Sequence, residues 1–156
     1  MKERWIIGLA LLIALAIAGA YYFSMQVSGD KGNTVDFVGL NDTTTTVHVE
    51  IADTPREQQQ GLMYRTAMDE NKGMLFIFDG DFPRSFWMEN TPLPLDMIFI
   101  NSRNTIVDIN HNATPYSTDV FTSRAGCKYV VEVNGGFCQR HDVKIGDLVN
   151  IDLRST

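Results

Sequence analysis

The chain has 156 residues, 44% of them hydrophobic and 21% charged, which is the balance of one ordinary globular domain and excludes a disordered or collagen-like polymer. Thirteen Lys and Arg stand against 19 Asp and Glu, for a formal charge of −6; with no Lys/Arg cluster, such a chain is a poor partner for nucleic acid or anionic lipid. Two cysteines are too few for a disulfide scaffold or for a structural zinc site built from thiolates.

The first predicted element is Met1 to Phe23. Lys2 and Arg4 precede an apolar run from Trp5 to Phe23, interrupted only by Gly8 and Gly19. As a helix that run spans about 28 Å, the thickness of a bilayer's hydrocarbon core. A cleaved signal peptide would use Ala18-Gly19-Ala20 as its small-residue site. An uncleaved anchor continues through Tyr21, Tyr22 and Phe23 as an interfacial aromatic belt, and the length of the run favours this reading. Positive charge ahead of the helix places the remainder on the extracytoplasmic side of a single-pass protein, or in the periplasm or medium if the segment is cleaved. Without Lys2, Glu3 and Arg4, that remainder holds 11 basic and 18 acidic side chains, a charge of −7.

Residues 24–33 (SMQVSGDKGN) mix Gly, Ser and charge without periodicity and form a short tether. A single domain is expected over 34–156. Val47, Val49 and Ile51 alternate with Thr46, His48 and Glu50, a strand with one wet face. Thr54 with Glu57 forms a capping box, Pro55 occupies the first helical position, and a short helix ends near Gly61. Gly73 to Phe78 is a buried strand stopped by Asp79-Gly80-Asp81, and Phe86-Trp87-Met88 is a second, short one. Pro92 and Pro94 forbid regular structure between Asn90 and Pro94. Leu95–Ile100 and Thr105–Asn110 flank Asn101-Ser102-Arg103-Asn104 as a hairpin. Tyr129–Val133 is another buried strand, ended by Gly135-Gly136. A helical turn near Phe137–His141 precedes a last strand, Leu148–Leu153. Many short strands with one or two short helices define an all-β class, a compact sandwich or barrel.

Arg56 with Gly61-Leu62-Met63-Tyr64-Arg65, Gly73-Met74-Leu75-Phe76, Phe86-Trp87-Met88-Glu89-Asn90-Thr91 running into Pro94-Leu95-Asp96-Met97, and Tyr129 to Val133 with Gly135-Gly136 and Gly146-Asp147 occur in that order. This pattern resembles the domain of unknown function 192 family, small domains often found behind a signal or anchor. The resemblance runs from about Arg56 to Ile151. It implies a compact, mostly β fold and no particular activity.

Asp96 and Glu132 lie inside apolar strands, where carboxylates need a partner. In the structural reading Asp96 accepts from loop amides around Asn90-Thr91, and Glu132 pairs with Arg65 or Arg84. In the functional reading both face one cleft, as ligand contacts or as the acid/base couple of a hydrolase. Ser85, Ser102, Ser117 and Ser123 lack a nucleophile-elbow context, and no phosphate loop is present. His48, His111 and His141 lie on separate segments with no metal-ligand spacing and read as surface or loop residues. Met63, Met74, Met88 and Met97 read as core, with Met63, Met88 and Met97 as candidate Cu(I) ligands beside Trp87.

The best site candidate is Trp87 to Thr91, an aromatic, an amide and a hydroxyl ahead of a stiff proline loop. The expected function is a membrane-tethered, extracytoplasmic module that binds a small molecule or an envelope partner, without a cofactor or nucleic acid. Its candidate contacts are Arg65, Trp87, Asn90, Thr91, Asp96 and Glu132. A hydrolase using Asp96 and Glu132, and a Met/Trp copper protein, are the alternatives. Cys127 and Cys138 are expected to remain unbridged, because an extended strand separates them by about 10 Å or more.

Overall fold

The computed structural model describes residues 32–39 and 43–154. The predicted anchor and nearly all of the tether lie outside the described residues. Among the described residues no helix is long and apolar enough to cross a membrane.

Among the described residues nine strands and two short helices follow in order: β1 Thr34–Val38, β2 Thr44–Ala52, α1 Pro55–Gln60, β3 Lys72–Phe82, β4 Ser85–Phe86, β5 Leu95–Ile100, β6 Ile106–Ala113, β7 Phe121–Thr122, β8 Cys127–Asn134, α2 Phe137–Arg140 and β9 Leu148–Asp152. Seven strands make one sheet in the order β6-β5-β8-β3-β2-β1-β9, and β4 pairs with β7 in a second. The large sheet curls into a half-barrel. Its outer strands meet at one end, where Thr105 bridges Leu148 and the Ile106 amide donates to Asp147 O at 3.0 Å.

The mostly-β expectation holds, with local differences, one being the short strand β7, which the sequence does not mark. Val35 and Phe37 alternate with Thr34, Asp36 and Val38 in β1, a strand too short to stand out in the sequence. The β3 strand does not stop at Asp79-Gly80-Asp81. Gly80 adopts φ +73, a conformation open to glycine, so the strand shifts register between Ile77 and Phe82 and resumes pairing with β8. Trp87 and Met88 leave the strand that Ser85 and Phe86 begin.

The capping box forms as expected. The Glu57 amide donates to Thr54 Oγ1, and the Thr54 amide donates to Glu57 Oε2 at 3.1 Å, with Pro55 at the helix start. This helix carries the chain across from β2 to β3, which is why these two strands pair in parallel while the other neighbours in the sheet are antiparallel. In the β5–β6 hairpin, Asn101 Oδ1 accepts from the amides of Arg103 and Thr105, and Asn104 takes φ +57.

Both faces of the sheet centre are covered, and every residue of β5 is buried. One apolar cluster unites Val35, Val47, Leu75, Ile98, Ile106, Val131, Phe137 and Val149. These residues come from strands at opposite ends of the sheet order and can meet only inside the curl. The other cluster joins Leu62, Phe76, Met88, Met97, Phe99 and Val130, with Phe86 and Phe121 of the small sheet packed against it. Phe86 sits edge-on to Phe76 and Phe99, with ring centroids 5.1 and 5.8 Å apart.

Candidate functional site

Three loops over the outer face are laced by backbone hydrogen bonds. The Tyr64 amide donates to Asn90 O at 2.8 Å, the Tyr116 amide to Thr91 O at 3.1 Å, and the Met88 amide to Ser117 O at 3.0 Å. Tyr64, Asn90 and Tyr116 hold positive φ angles of 65°, 53° and 60°. Such angles are uncommon outside glycine and persist where the surroundings impose them. The result is a rigid rim on which large side chains face water: Tyr64 is 71% exposed and Trp87 47%.

Tyr64 and Trp87 border a cleft of about 490 Å³ whose wall also includes Arg56, Gln60, Glu89 and Asn90. Trp87 lines two further clefts, one with Met88, Met97 and His111 and another with Phe78 and Arg84. Of the sequence candidates, Trp87 and Asn90 therefore share a cleft. Thr91 is buried beneath them, donating from Oγ1 to Glu89 O at 3.1 Å. Arg65 is half-buried and makes a bidentate pair with Glu50, whose carboxyl this guanidinium holds below its ordinary range. Gln59, Gln60 and Tyr64 also line this cleft; nothing in the sequence singles out the two glutamines, and Tyr64 stands out only within a family block.

The two strand carboxylates do not share a cleft. Across β5 and β8, Asp96 pairs with Val133 and Met97 with Glu132. Directly opposed residues project to the same face, so Asp96 points with Val133 into the curl and Glu132 points with Met97 outward. An acid/base couple of Asp96 and Glu132 is incompatible with this arrangement.

Their expected partners also differ. Asp96 is fully buried and accepts from the amides of Asn112 (2.7 Å) and Gly136 (3.0 Å) at Oδ1 and of Cys138 (2.8 Å) at Oδ2, not from Asn90-Thr91. Glu132 pairs with neither Arg65 nor Arg84. The latter donates to the carbonyls of Asp79 and Gly80 and lies over the Phe78 ring. Among the described residues no hydrogen bond to the Glu132 carboxyl is found. It is 5% exposed, and burial pushes its pKa up to about 8. Its Oε2 lies 3.8 Å from where a Cβ on Gly61 would stand, beneath the loop that carries Tyr64.

On the inner side, Asp96 of β5, His111 of β6 and Cys138 of α2 converge, with one ligand atom from each within 4.8 Å of the others. They line a cleft of about 580 Å³ bordered by Asp142 and Lys144. His111 is exposed, as expected, but it is not isolated. Burial and the adjacent Asp96 carboxylate push the Cys138 thiol up. Cys127 is likewise a free, buried thiol, but it belongs to the outer cluster while Cys138 belongs to the inner one. Of the copper candidates, Met88 and Met97 border one cleft with Trp87 and Met63 borders another, so the three do not share a cleft.

The sequence model of the DUF192 family, described as "Uncharacterized ACR", matches residues 38–151. A crystal structure of a candidate transcription regulator from Sinorhizobium meliloti 1021 is similar at 41% identity, covering 76% of this chain and 92% of its own, with a TM-score of 0.75. A protein of unknown function from Novosphingobium aromaticivorans DSM 12444 is 34% identical over 75% of this chain and 83% of its own, with a TM-score of 0.72. No curated protein matches the chain.

Proposed function

This chain belongs to the DUF192 family, and from that premise we propose that it is an extracytoplasmic binding module, held at the membrane by Met1 to Phe23, that takes a hydroxyl-rich ring compound in the cleft between Tyr64 and Trp87. The observation that carries the reading is the pair of exposed aromatic side chains set on positive-φ or proline-stiffened loops around a polar cleft. Aromatic faces stack on the apolar faces of a ring, while the Gln60 and Asn90 amides, the Glu89 carboxylate and the Arg56 guanidinium supply donors and acceptors for its hydroxyls. Envelope glycans are the abundant compounds of this chemistry outside the cytoplasm. The tether rests on the uninterrupted apolar run and the two basic residues ahead of it. The Sinorhizobium relative's description as a transcription regulator does not bring direct DNA contact to this reading, because a chain of charge −6 without a basic cluster is a poor partner for phosphates.

Of the two tryptophans, only Trp87 lies in the folded domain, so its fluorescence reports on this cleft. Titration of the full chain in detergent with soluble chito-oligosaccharides and peptidoglycan fragments should quench it saturably. Replacing Tyr64 by Ala should weaken binding about five-fold, the worth of roughly 1 kcal/mol of ring stacking. Saturable binding that ignores Tyr64→Ala would place the ligand elsewhere, and no quenching by any glycan would remove the ligand class.

A further inference from the structure

We propose that Asp96, His111 and Cys138 form a three-ligand site for a divalent transition-metal cation, zinc by its donor set, with the fourth coordination position open to the inner cleft. This site goes beyond the proposed glycan cleft and is independent of it, since it lies on the other face of the sheet.

The donors come from three elements that meet only in the folded chain, and each offers a different atom type: carboxylate oxygen, imidazole nitrogen and sulfur. One thiolate, one imidazole and one carboxylate suit the borderline-soft zinc ion. Three protein ligands with a free position are the pattern of zinc sites that also hold water or a small ligand. Tetrahedral zinc with bonds of about 2.0–2.3 Å places its ligand atoms about 3.6 Å apart. The donors lie within 4.8 Å of one another, so a contraction of about 1 Å completes the site, and the exposed side chain of His111 is free to make it.

The Asp96 carboxylate is aimed in advance. Two amide donors saturate Oδ1, whereas Oδ2 accepts one amide bond, from Cys138, and retains a lone pair. The Cys138 sulfur lies beside this carboxylate, and a cation takes the place of the thiol proton. The S–H bond breaks, a sulfur–metal bond forms, and the proton leaves to water through the cleft. One carboxylate and one thiolate then balance the two positive charges, so the loaded site is neutral. Amide donors that fix a ligating carboxylate are the outer-shell support that metal sites require.

Metal-free full-length chain in detergent, titrated with Co²⁺ as the spectroscopic stand-in for zinc, tests the site. One equivalent should produce a thiolate-to-cobalt charge-transfer band that Zn²⁺ abolishes by displacement. The band should persist in Cys127→Ser and vanish in Cys138→Ser. His111→Ala alters an exposed residue that the fold does not need, and it should weaken binding at least about tenfold while leaving the melting temperature of the metal-free chain in place. Absence of the band in the wild type, its survival in Cys138→Ser, or unchanged affinity in His111→Ala would each overturn the assignment.

Discussion

Glu132 makes stability depend on pH in an unusual direction, and its magnitude follows from its surroundings. Its carboxyl is buried between β5 and β3, opposite Met97 and Met74, with no hydrogen-bond partner among the described residues. Burial alone raises its pKa from 4.5 to about 8. Between those two values the folded chain holds a proton that the unfolded chain has released. Stability therefore falls as pH rises through this window and levels off above about pH 8, where both states are ionised. At about 1.4 kcal/mol per pH unit, the loss across the window approaches 5 kcal/mol. The groups held below their ordinary range, such as Glu50 beside Arg65, work the other way. Their stabilisation is present above the unfolded pKa and disappears only in stronger acid. Replacing Glu132 by Gln removes the titration and keeps the shape. Urea denaturation of both proteins at intervals from pH 5 to 9 should give a falling curve for the wild type and a flatter one for the variant, with Glu132→Gln the more stable at pH 8 and above. Other groups titrating in the window are common to both proteins and drop from the comparison. Parallel curves would refute the reasoning, because a solvated or ion-paired carboxylate produces no such difference.

Asp96→Ala strands three backbone amides. Cys138 is buried, while those of Asn112 and Gly136 can recover water, so the cost should be about 3 kcal/mol and the melting temperature should drop by about 10 °C. A variant melting within about 2 °C of the wild type would show that the carboxylate is not satisfying those donors. Thiol counting on the denatured, unreduced chain should find two free thiols, because Cys127 and Cys138 belong to clusters on opposite faces of the sheet; a monomer with none would contradict that placement. Mass spectrometry of the membrane-extracted protein should find Met1 to Phe23 still attached, and a mature N-terminus at Tyr21 would replace the anchor with a cleaved signal.

What the sequence determines by itself is what depends on near neighbours. The capping box of Thr54 and Glu57, the Asn101–Asn104 turn and the buried run Leu95–Ile100 are set by side chains a few residues apart, so their elements appear where composition and periodicity place them. The family blocks likewise marked the loops that carry Tyr64, Trp87 and Asn90. Which face a strand residue uses relative to another strand is not local. Period-2 alternation assigns Asp96 to the side of Ile98 and Glu132 to the side of Val130, but only the register that pairs Met97 with Glu132 shows that these sides are opposite. The surroundings of both carboxylates escape the sequence for the same reason. Asp96 is satisfied by amides 16 and 40–42 residues away, and Arg65 is drawn to Glu50 on the neighbouring β2 strand. His111 and Cys138 carry no motif because they are 27 positions apart, with β7 of the small sheet and β8 of the curled sheet between them. The curl brings α2 back over the β5–β6 pair, and tertiary structure alone puts an imidazole, a thiol and a carboxylate around one point.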